Sequence, residues 1–369
     1  MIGIVGGGLA AAKLVEGYRE AGGTDPITIW SRDDHPPYHR PPLSKKLLRG
    51  EAERDDALVH PEDWYAEHGV ELQLDYVIDS LDEIHADTIV LATGARPREL
   101  PGARSFRTLD DSLALREAAK TAETAVVIGG GFIGSEVAAA LLGAGCDVTM
   151  VFPEAGICDR LFPAPLSAFV TDYYREKGIE VRTGETVSAA SGSGVTTGSG
   201  DELPADIVVA GLGIIPSTEL AEAAGLEVDN GIVVDEFGTT SHPDVYAAGD
   251  VANFPVEALG RRMRVEHENH ANVHGKTVGA NMAGAGKPYD DLPFFYSDLF
   301  ELGYEAVGEL DPRRATVESW QEPNRKGVVA YVDDESRPRG FLLWDTWGKV
   351  DEAREQIVAG EPISEIALG

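Results

Sequence analysis

Ala125-Val126-Val127-Ile128-Gly129-Gly130-Gly131-Phe132-Ile133-Gly134 is the stretch from which the organisation of this chain can be read outward. Four apolar residues predict a short buried strand over 125–128, and the run from Ile133 to about Ala144 predicts a helix. Between them stands Gly129-x-Gly131-x-x-Gly134. There the missing side chains let backbone amides approach a pyrophosphate at the helix N-terminus. Asp147 to Val151 reads as the next strand, completing a strand-helix-strand unit. The same order occurs earlier: Ile2 to Val5, Leu9 to about Ala21, and Ile27 to Ser31, with Gly6-x-Gly8-x-x-Ala11 at the first junction. Each unit has a later strand that ends in a glycine turn, Thr88 to Gly94 and Ile207 to Gly213. The chain therefore carries two related nucleotide-binding units.

Two fingerprints imply two dinucleotides. One FAD and one NAD or NADP is the economical assignment, because hydride transfer needs a donor ring stacked on an acceptor ring. The first turn supplies Gly6, Gly7, Gly8, Leu9 and Ala10, and the second Gly129, Gly130 and Gly131. An acid at the end of the following strand selects a free ribose 2′-hydroxyl, whereas an arginine favours a 2′-phosphate. In the second unit that position is Glu154, which leans toward NADH, while Arg160 nearby keeps NADPH open. In the first unit the sequence is Ser31-Arg32-Asp33; Asp33 is expected to take the ribose and Arg32 to point to solvent or stack on adenine.

The expected fold class is α/β: two Rossmann-like, doubly wound three-layer domains for FAD and NAD(P), plus a small α+β C-terminal domain. The boundaries read as 1–108 for the first part of the FAD domain, 109–234 for the NAD(P) domain, 235–288 for the second part of the FAD domain, and 289–369 for the C-terminal domain. Ser188 to Gly200, rich in Gly, Ser and Thr, reads as a hairpin tip inside the second unit. After roughly Pro288 the pattern turns aromatic and β-rich.

The 369 residues include 63 acidic and 31 basic side chains, a formal charge of −32. Such a surface repels nucleic acid and anionic membranes, so neither is an expected partner. It also suits high salt, where screening lengths fall to roughly 3 Å at 1 M. The apolar runs are too short for a bilayer. The N-terminus lacks a basic leader and its glycines belong to a fingerprint, so a cytoplasmic protein is expected. Cys146 and Cys158 form neither a CxxC pair nor a metal-ligand cluster, and no metal site is expected. Two inert, buried thiols argue against a dithiol relay.

Tyr38-His39-Arg40-Pro41-Pro42-Leu43-Ser44-Lys45, Leu91 to Pro97 and Val245-Tyr246-Ala247-Ala248-Gly249-Asp250 resemble the pyridine-nucleotide-dependent flavoproteins. Within that family the chain resembles the ferredoxin reductases and the apoptosis-inducing-factor branch. Val151 to Gly156, Arg264 to His270, and Phe295-Tyr296-Ser297-Asp298 through Glu305 look closest to that branch. The resemblance implies that Arg40, Lys45, Val77, Arg107, Asp250, His267, Glu268 and Tyr296 contact FAD, together with Thr93, Gly94 and Gly249 of the matching turns. Asp250 would accept hydrogen bonds from the ribityl chain. Gly130, Gly131, Phe132, Ile133, Glu154, Gly213, Glu266 and Glu305 are implied at the nicotinamide nucleotide. Tyr296 stands where the branch has tryptophan, and the chain lacks the basic character of the death-signalling members.

Lys45 is similar to the family lysine near flavin N5, where an ammonium stabilises the negative charge that arrives with hydride. Glu136 is its expected partner, since an unpaired buried charge is costly. Phe132 is either a core aromatic or a ring shielding the flavin. His267, His270 and His274 fall on nearly one helical face, with packing favoured over metal binding. Arg261, Arg262 and Arg264 are read as a surface turn, or else a docking patch for an acidic redox protein. Trp344 and Trp347 read as core anchors of the third domain or as an edge facing that partner, with core favoured.

These expectations describe an enzyme that takes hydride from NADH or NADPH and passes electrons to a small iron–sulfur carrier such as a ferredoxin or rubredoxin. A homodimer is left open. One alternative is an apoptosis-inducing-factor-like redox sensor with slow turnover. Another is an NADH oxidase or quinone reductase, weakened by the lack of a reactive cysteine.

Overall fold

A computed structural model describes residues 1–366 and 368. The chain forms two compact units: Met1–His39, Arg54–Arg96 and Ile215–Pro293 make the first, and Arg40–Glu53, Pro97–Ile214 and Phe294–Gly369 the second. The end of the expected C-terminal domain, at 369, lies outside the described residues.

In the first unit a parallel sheet runs Val245–Ala247, Thr88–Leu91, Ile2–Val5, Ile27–Trp30, Val70–Gln73 in spatial order. Its inner strands Ile2–Val5 and Ile27–Trp30 are short and almost wholly buried, as continuous apolar runs require, while the edge strand Val70–Gln73 is buried only at Val70. The helix Leu9–Glu20 covers one face through Leu14, Val15 and Tyr18. The helix Glu268–Met282 lies against it at backbone distance. A Cβ at Gly17 would stand 2.0 Å from the Lys276 carbonyl oxygen, and one at Gly279 2.0 Å from that of Leu14. Glycine at these positions is what lets the two helices touch. A small sheet, Ile232–Val233, Ala252–Val256 and Arg261–Met263, completes this unit.

The second unit repeats the parallel plan with Ile207–Ala210, Thr124–Ile128, Asp147–Phe152 and Glu180–Thr183. The Gly/Ser/Thr-rich stretch forms the hairpin expected of it, pairing Val187–Ser191 with Gly194–Thr197 and then Glu202–Pro204. From Phe294 a five-stranded antiparallel sheet follows, with strand order Phe294–Leu299, Leu302–Gly308, Pro338–Trp344, Lys326–Val332, Ala315–Glu322. The helix Val350–Ala359 packs on its Leu302–Gly308 and Pro338–Trp344 strands. This is the α/β architecture with an α+β C-terminal part that the sequence implies. Trp344 is fully buried as expected, but Trp347 is half exposed, lying against Gly303 at the sheet's end. Among the described residues no helix is long and apolar enough to cross a membrane.

Candidate functional site

The first unit holds the first glycine turn. Gly6 has φ 112°, and a Cβ there would stand 2.2 Å from the Ala92 carbonyl oxygen; at Gly7 it would stand 2.4 Å from Ser31 Oγ. Gly8 caps the helix Leu9–Glu20, whose first turn has no acidic residue. The free N–H groups and positive dipole end therefore have no anionic competitor on the helix, which suits a pyrophosphate. Leu9 and Ala10 are buried, so they can offer only backbone.

Asp33 follows the next strand. Its Oδ2 accepts from the Tyr38 hydroxyl at 2.7 Å and its Oδ1 from the His35 amide at 3.1 Å, which orient the carboxylate. Each oxygen can accept a second bond, and Arg32 is exposed. Asp33, Asp34 and His35 bring ligand atoms within 4.8 Å of one another, with the Asp33 carboxylate oriented by the two bonds above.

Two more turns face this sheet edge. Thr93 donates its hydroxyl to the Ser217 carbonyl at 2.7 Å, and Gly94 at φ 63° has nothing within 4 Å of where a Cβ would stand. Gly249 has φ 77°, and a Cβ there would stand 2.7 Å from that of Ala10. The neighbouring Asp250 carbonyl accepts from Arg264 Nη1 at 3.2 Å, and Arg264 pairs with Glu266 at 2.7 Å. His39 Nδ1 meets Glu268 Oε1 at 2.6 Å. Burial, then the neighbouring His270, drives the His267 imidazole down to about 3. Val77 is exposed. Three glycine turns around an acid-free helix end and a carboxyl at 250 are a cradle that fits FAD.

In the basic run Arg261 and Arg262 are exposed, as a surface turn requires. Arg262 reaches back to the Val234 and Asn253 carbonyls, and Arg264 is 10% exposed and engaged as above. Two of the three guanidiniums thus hold backbone carbonyls.

In the second unit Gly129 has φ 118° and Cβ room only 2.3 Å from the Gly211 carbonyl oxygen, while a Cβ at Gly134 would stand 2.1 Å from the Gly129 carbonyl oxygen. At Gly130 it would meet the Phe152 ring at 2.9 Å. Gly131 and Gly213 have open space, and the helix Phe132–Gly143 also starts without an acid. Ile133 is exposed. Glu154 Oε1 lies 2.5 Å from Arg160 Nη2. This turn fits a second dinucleotide. The Phe132 ring packs edge-on to Phe295 at 5.2 Å, so in this unit it is held by aromatic neighbours.

The same unit brings Lys45, Glu136 and Tyr296 together. Lys45 Nζ lies 3.6 Å from Glu136 Oε1, 3.1 Å from Asp298 Oδ2, and 4.9 Å from the Tyr296 ring centroid. Burial alone would lower the Lys45 pKa; Glu136 and Asp298 override it and hold the ammonium above its ordinary value. Both Glu136 oxygens accept from serines, Oε1 from Ser297 at 2.5 Å and Oε2 from Ser44. Asp298, Ser297 and Ser44 were not picked out from sequence, although two of them lie inside the quoted Phe295-Tyr296-Ser297-Asp298 motif. Arg40 and Arg107 also belong to this unit, where the Arg107 amide donates to Asp111 at 2.9 Å. Burial raises the Glu305 carboxyl, and its Oε2 is buried without a hydrogen-bond partner.

Residues 2–275, which contain both glycine turns, match the family described as pyridine nucleotide-disulphide oxidoreductase. The chain belongs to that family. Pyridine nucleotide-disulphide oxidoreductases of this kind use FAD and NAD(P)H, and the chain is such an oxidoreductase. Residues 278–325 match the C-terminal region of apoptosis-inducing factor, mitochondrion-associated. The chain is 36% identical over 334 residues to putidaredoxin reductase of Pseudomonas putida, across 83% of this chain and 79% of that protein. It is 32% identical over 356 residues to rubredoxin-NAD(+) reductase of Ectopseudomonas oleovorans, across 90% and 92%. The crystal structure of a covalent putidaredoxin reductase–putidaredoxin complex superposes with a TM-score of 0.91 at 32% identity, covering 98% of this chain and 94% of that one.

The family's name invokes a disulphide, yet this member offers none. Cys146 and Cys158 are free and buried. Burial pushes the Cys158 thiol up to about 12 and raises that of Cys146.

Proposed function

We propose that this flavoprotein takes hydride from NADH, or from NADPH, and delivers the electrons to a small iron–sulfur carrier of the ferredoxin or rubredoxin type. The observation that carries the reading is the absence of a usable thiol. Thiolate, not thiol, is the redox nucleophile. With both cysteines buried and the Cys158 thiol pushed up to about 12, this reading takes the electrons out by a route that uses no cysteine. Relatives named as reductases of putidaredoxin and rubredoxin support that exit.

Bound FAD supplies a ring that accepts hydride and releases electrons singly. The residues around it have distinct tasks. Backbone amides of Gly6 to Ala10 bind the flavin pyrophosphate, Asp33 the ribose, and Asp250 the ribityl chain. Thr93, Gly94, Gly249, Val77, His267, Glu268, Arg40, Arg107 and Tyr296 complete its contacts. Gly129 to Ile133 bind the nicotinamide dinucleotide, with Glu154 on its ribose and Gly213, Glu266 and Glu305 beside it. Lys45, kept charged by Glu136, is the catalytic cation that meets negative charge arriving with hydride.

In this reading 1–108 and 235–288 serve FAD, 109–234 serves NAD(P)H, and 289–369 is the reductase interface. A cytoplasmic location goes with this reading, and a homodimer stays open beside it, to be decided by sedimentation at one or two chain masses.

The test is stopped-flow reduction by NADH and NADPH, followed by mixing with ferredoxins and rubredoxins of the same genome. A Cys146→Ser, Cys158→Ala variant should turn over as the wild type does; loss of transfer in that variant would overturn the thiol-free route. The match to the apoptosis-inducing-factor C-terminal region favours a second reading, a redox sensor. Reduced protein that no carrier oxidises on the turnover timescale, with its nicotinamide complex long-lived, would select the sensor.

A further inference from the structure

Gly249 opens the short turn Gly249–Val251 that carries Asp250, and imidazoles bind both of its backbone polar groups, which belong to the two peptides flanking its Cα. The Gly249 N–H donates to His274 Nδ1 at 3.2 Å. The Gly249 carbonyl lies 3.3 Å from His270 Nε2 and also accepts from the Ala252 amide. Four residues apart on the helix Glu268–Met282, the two rings stand on one face and stack at 4.7 Å with 18° between their planes. Phe254 stacks on His270 at 4.5 Å, and the Tyr289 hydroxyl meets His270 Nδ1 at 2.9 Å. His270 is 1% exposed and His274 0%.

These partners dictate the tautomers. A donor facing Nδ1 leaves His274 its proton on Nε2, whereas a carbonyl facing Nε2 places the His270 proton there and leaves Nδ1 to accept from Tyr289. Both rings are neutral. Burial works in the same direction, lowering His270 to about 4 and His274 well below its ordinary value. The titratable groups around the pair are Asp250, whose charge opposes the shift at His270, together with His267 and Tyr289. From the packed helix Leu9–Glu20 the approach is backbone, Ala10 against Gly275. His274 Nε2 is buried without a partner. An orphan N–H of this kind is costly, and what it secures is the acceptor at Nδ1.

The geometry points to His270 and His274 as positioning residues for FAD: in their neutral forms they grip the Gly249 N–H and carbonyl, fixing the peptides on both sides of its Cα, and so aim the Asp250 carboxyl at the flavin. Arg264 on the Asp250 carbonyl holds the other side of the turn. Metal binding, the other use of this spacing, is set aside, since the rings stack on each other and converge on the Gly249 backbone. The inference rests on the reading that the Asp250 turn holds FAD.

The sign of the pH effect follows from the direction of the shifts. As pH falls from 6.5 toward about 4, protonation is favoured when the turn is released and opposed when it is gripped, so FAD should loosen across that window. The experiment is FAD affinity of the purified full chain, read by the fluorescence of released flavin, for the wild type, His274→Phe, His274→Asn and the double variant His270→Gln, His274→Asn. Phenylalanine keeps the ring and loses the acceptor. Asparagine Oδ1 and glutamine Nε2 replace the imidazole atoms that are used. At neutral pH His274→Phe should weaken FAD about tenfold while His274→Asn stays close to wild type. The acid loosening should be flattened in the double variant. FAD held as tightly by His274→Phe as by wild type, equal loss in the Phe and Asn variants, or unchanged acid loosening in the double variant would overturn the inference. A wild-type chain that takes no FAD would instead overturn the underlying reading.

Discussion

The two glycine turns, at residues 6–11 and 129–134, are alike at the first glycine and differ around it. Gly6 and Gly129 have φ 112° and 118°, and each presses on the carbonyl of a following strand's turn, Ala92 in one case and Gly211 in the other. Beyond that point the first turn is locked. Its helix touches the Glu268–Met282 helix through Gly17, Gly275 and Gly279, and the Gly249 turn closes on Ala10. Its acid, Asp33, is held by the Tyr38 hydroxyl and the His35 amide. The second turn is open: Gly131 and Gly213 have free space, Ile133 is exposed, and Glu154 pairs with an 85% exposed Arg160. Packing of the first kind suits a cofactor that stays, and exposure of the second kind a nucleotide that comes and goes.

The sharpest way to break this comparison is to put a Cβ on each first glycine. Gly6→Ala should purify without flavin. Gly129→Ala should keep its FAD and be reduced by NADH roughly 100-fold more slowly, since strain at a positive φ adds to the clash with Gly211. Equal flavin loss in both would show that the two turns are not separately dedicated.

Next come the charges. Lys45→Ala or Glu136→Ala should slow flavin reduction by about 10- to 100-fold with FAD content unchanged. Unaltered stopped-flow traces would reject the pairing. Smaller effects separate the two acids: Asp33→Ala should lower FAD occupancy, whereas Glu154→Ala should raise the KM for NADH about tenfold and that for NADPH less. Asp33→Ala with full occupancy would refute the ribose role. Least in size is the effect of salt. With a charge of −32, the melting temperature should climb a few degrees from 0.1 to 1 M KCl, and a flat curve would count against salt adaptation.

Much of the fold was legible because its signals are local. Ile2–Val5 and Thr124–Ile128 are apolar runs ending in glycine, and the helices start where the glycines say they must. The Lys45–Glu136 pair was legible only through the resemblance, since 91 residues separate them. Asp298 was missed for the same reason: its contact with Lys45 spans 253 residues and depends on the strand Phe294–Leu299 being placed. That Arg262 and Arg264 also hold backbone carbonyls was not legible, because a charge run does not show which carbonyls fold back onto it. The spacing of His270 and His274 was visible, but no local pattern shows that their common partner is Gly249, 21 and 25 residues upstream.

The most direct test passes the purified chain, mixed with NAD(H), through a desalting column, then measures bound FAD and nicotinamide nucleotide and mixes the eluate anaerobically with fresh NADH. The prediction is about one FAD per chain retained, the nicotinamide nucleotide lost, and rapid bleaching of the flavin absorbance on mixing. A colourless protein that takes up no added FAD, or a yellow one that neither NADH nor NADPH bleaches, would contradict it.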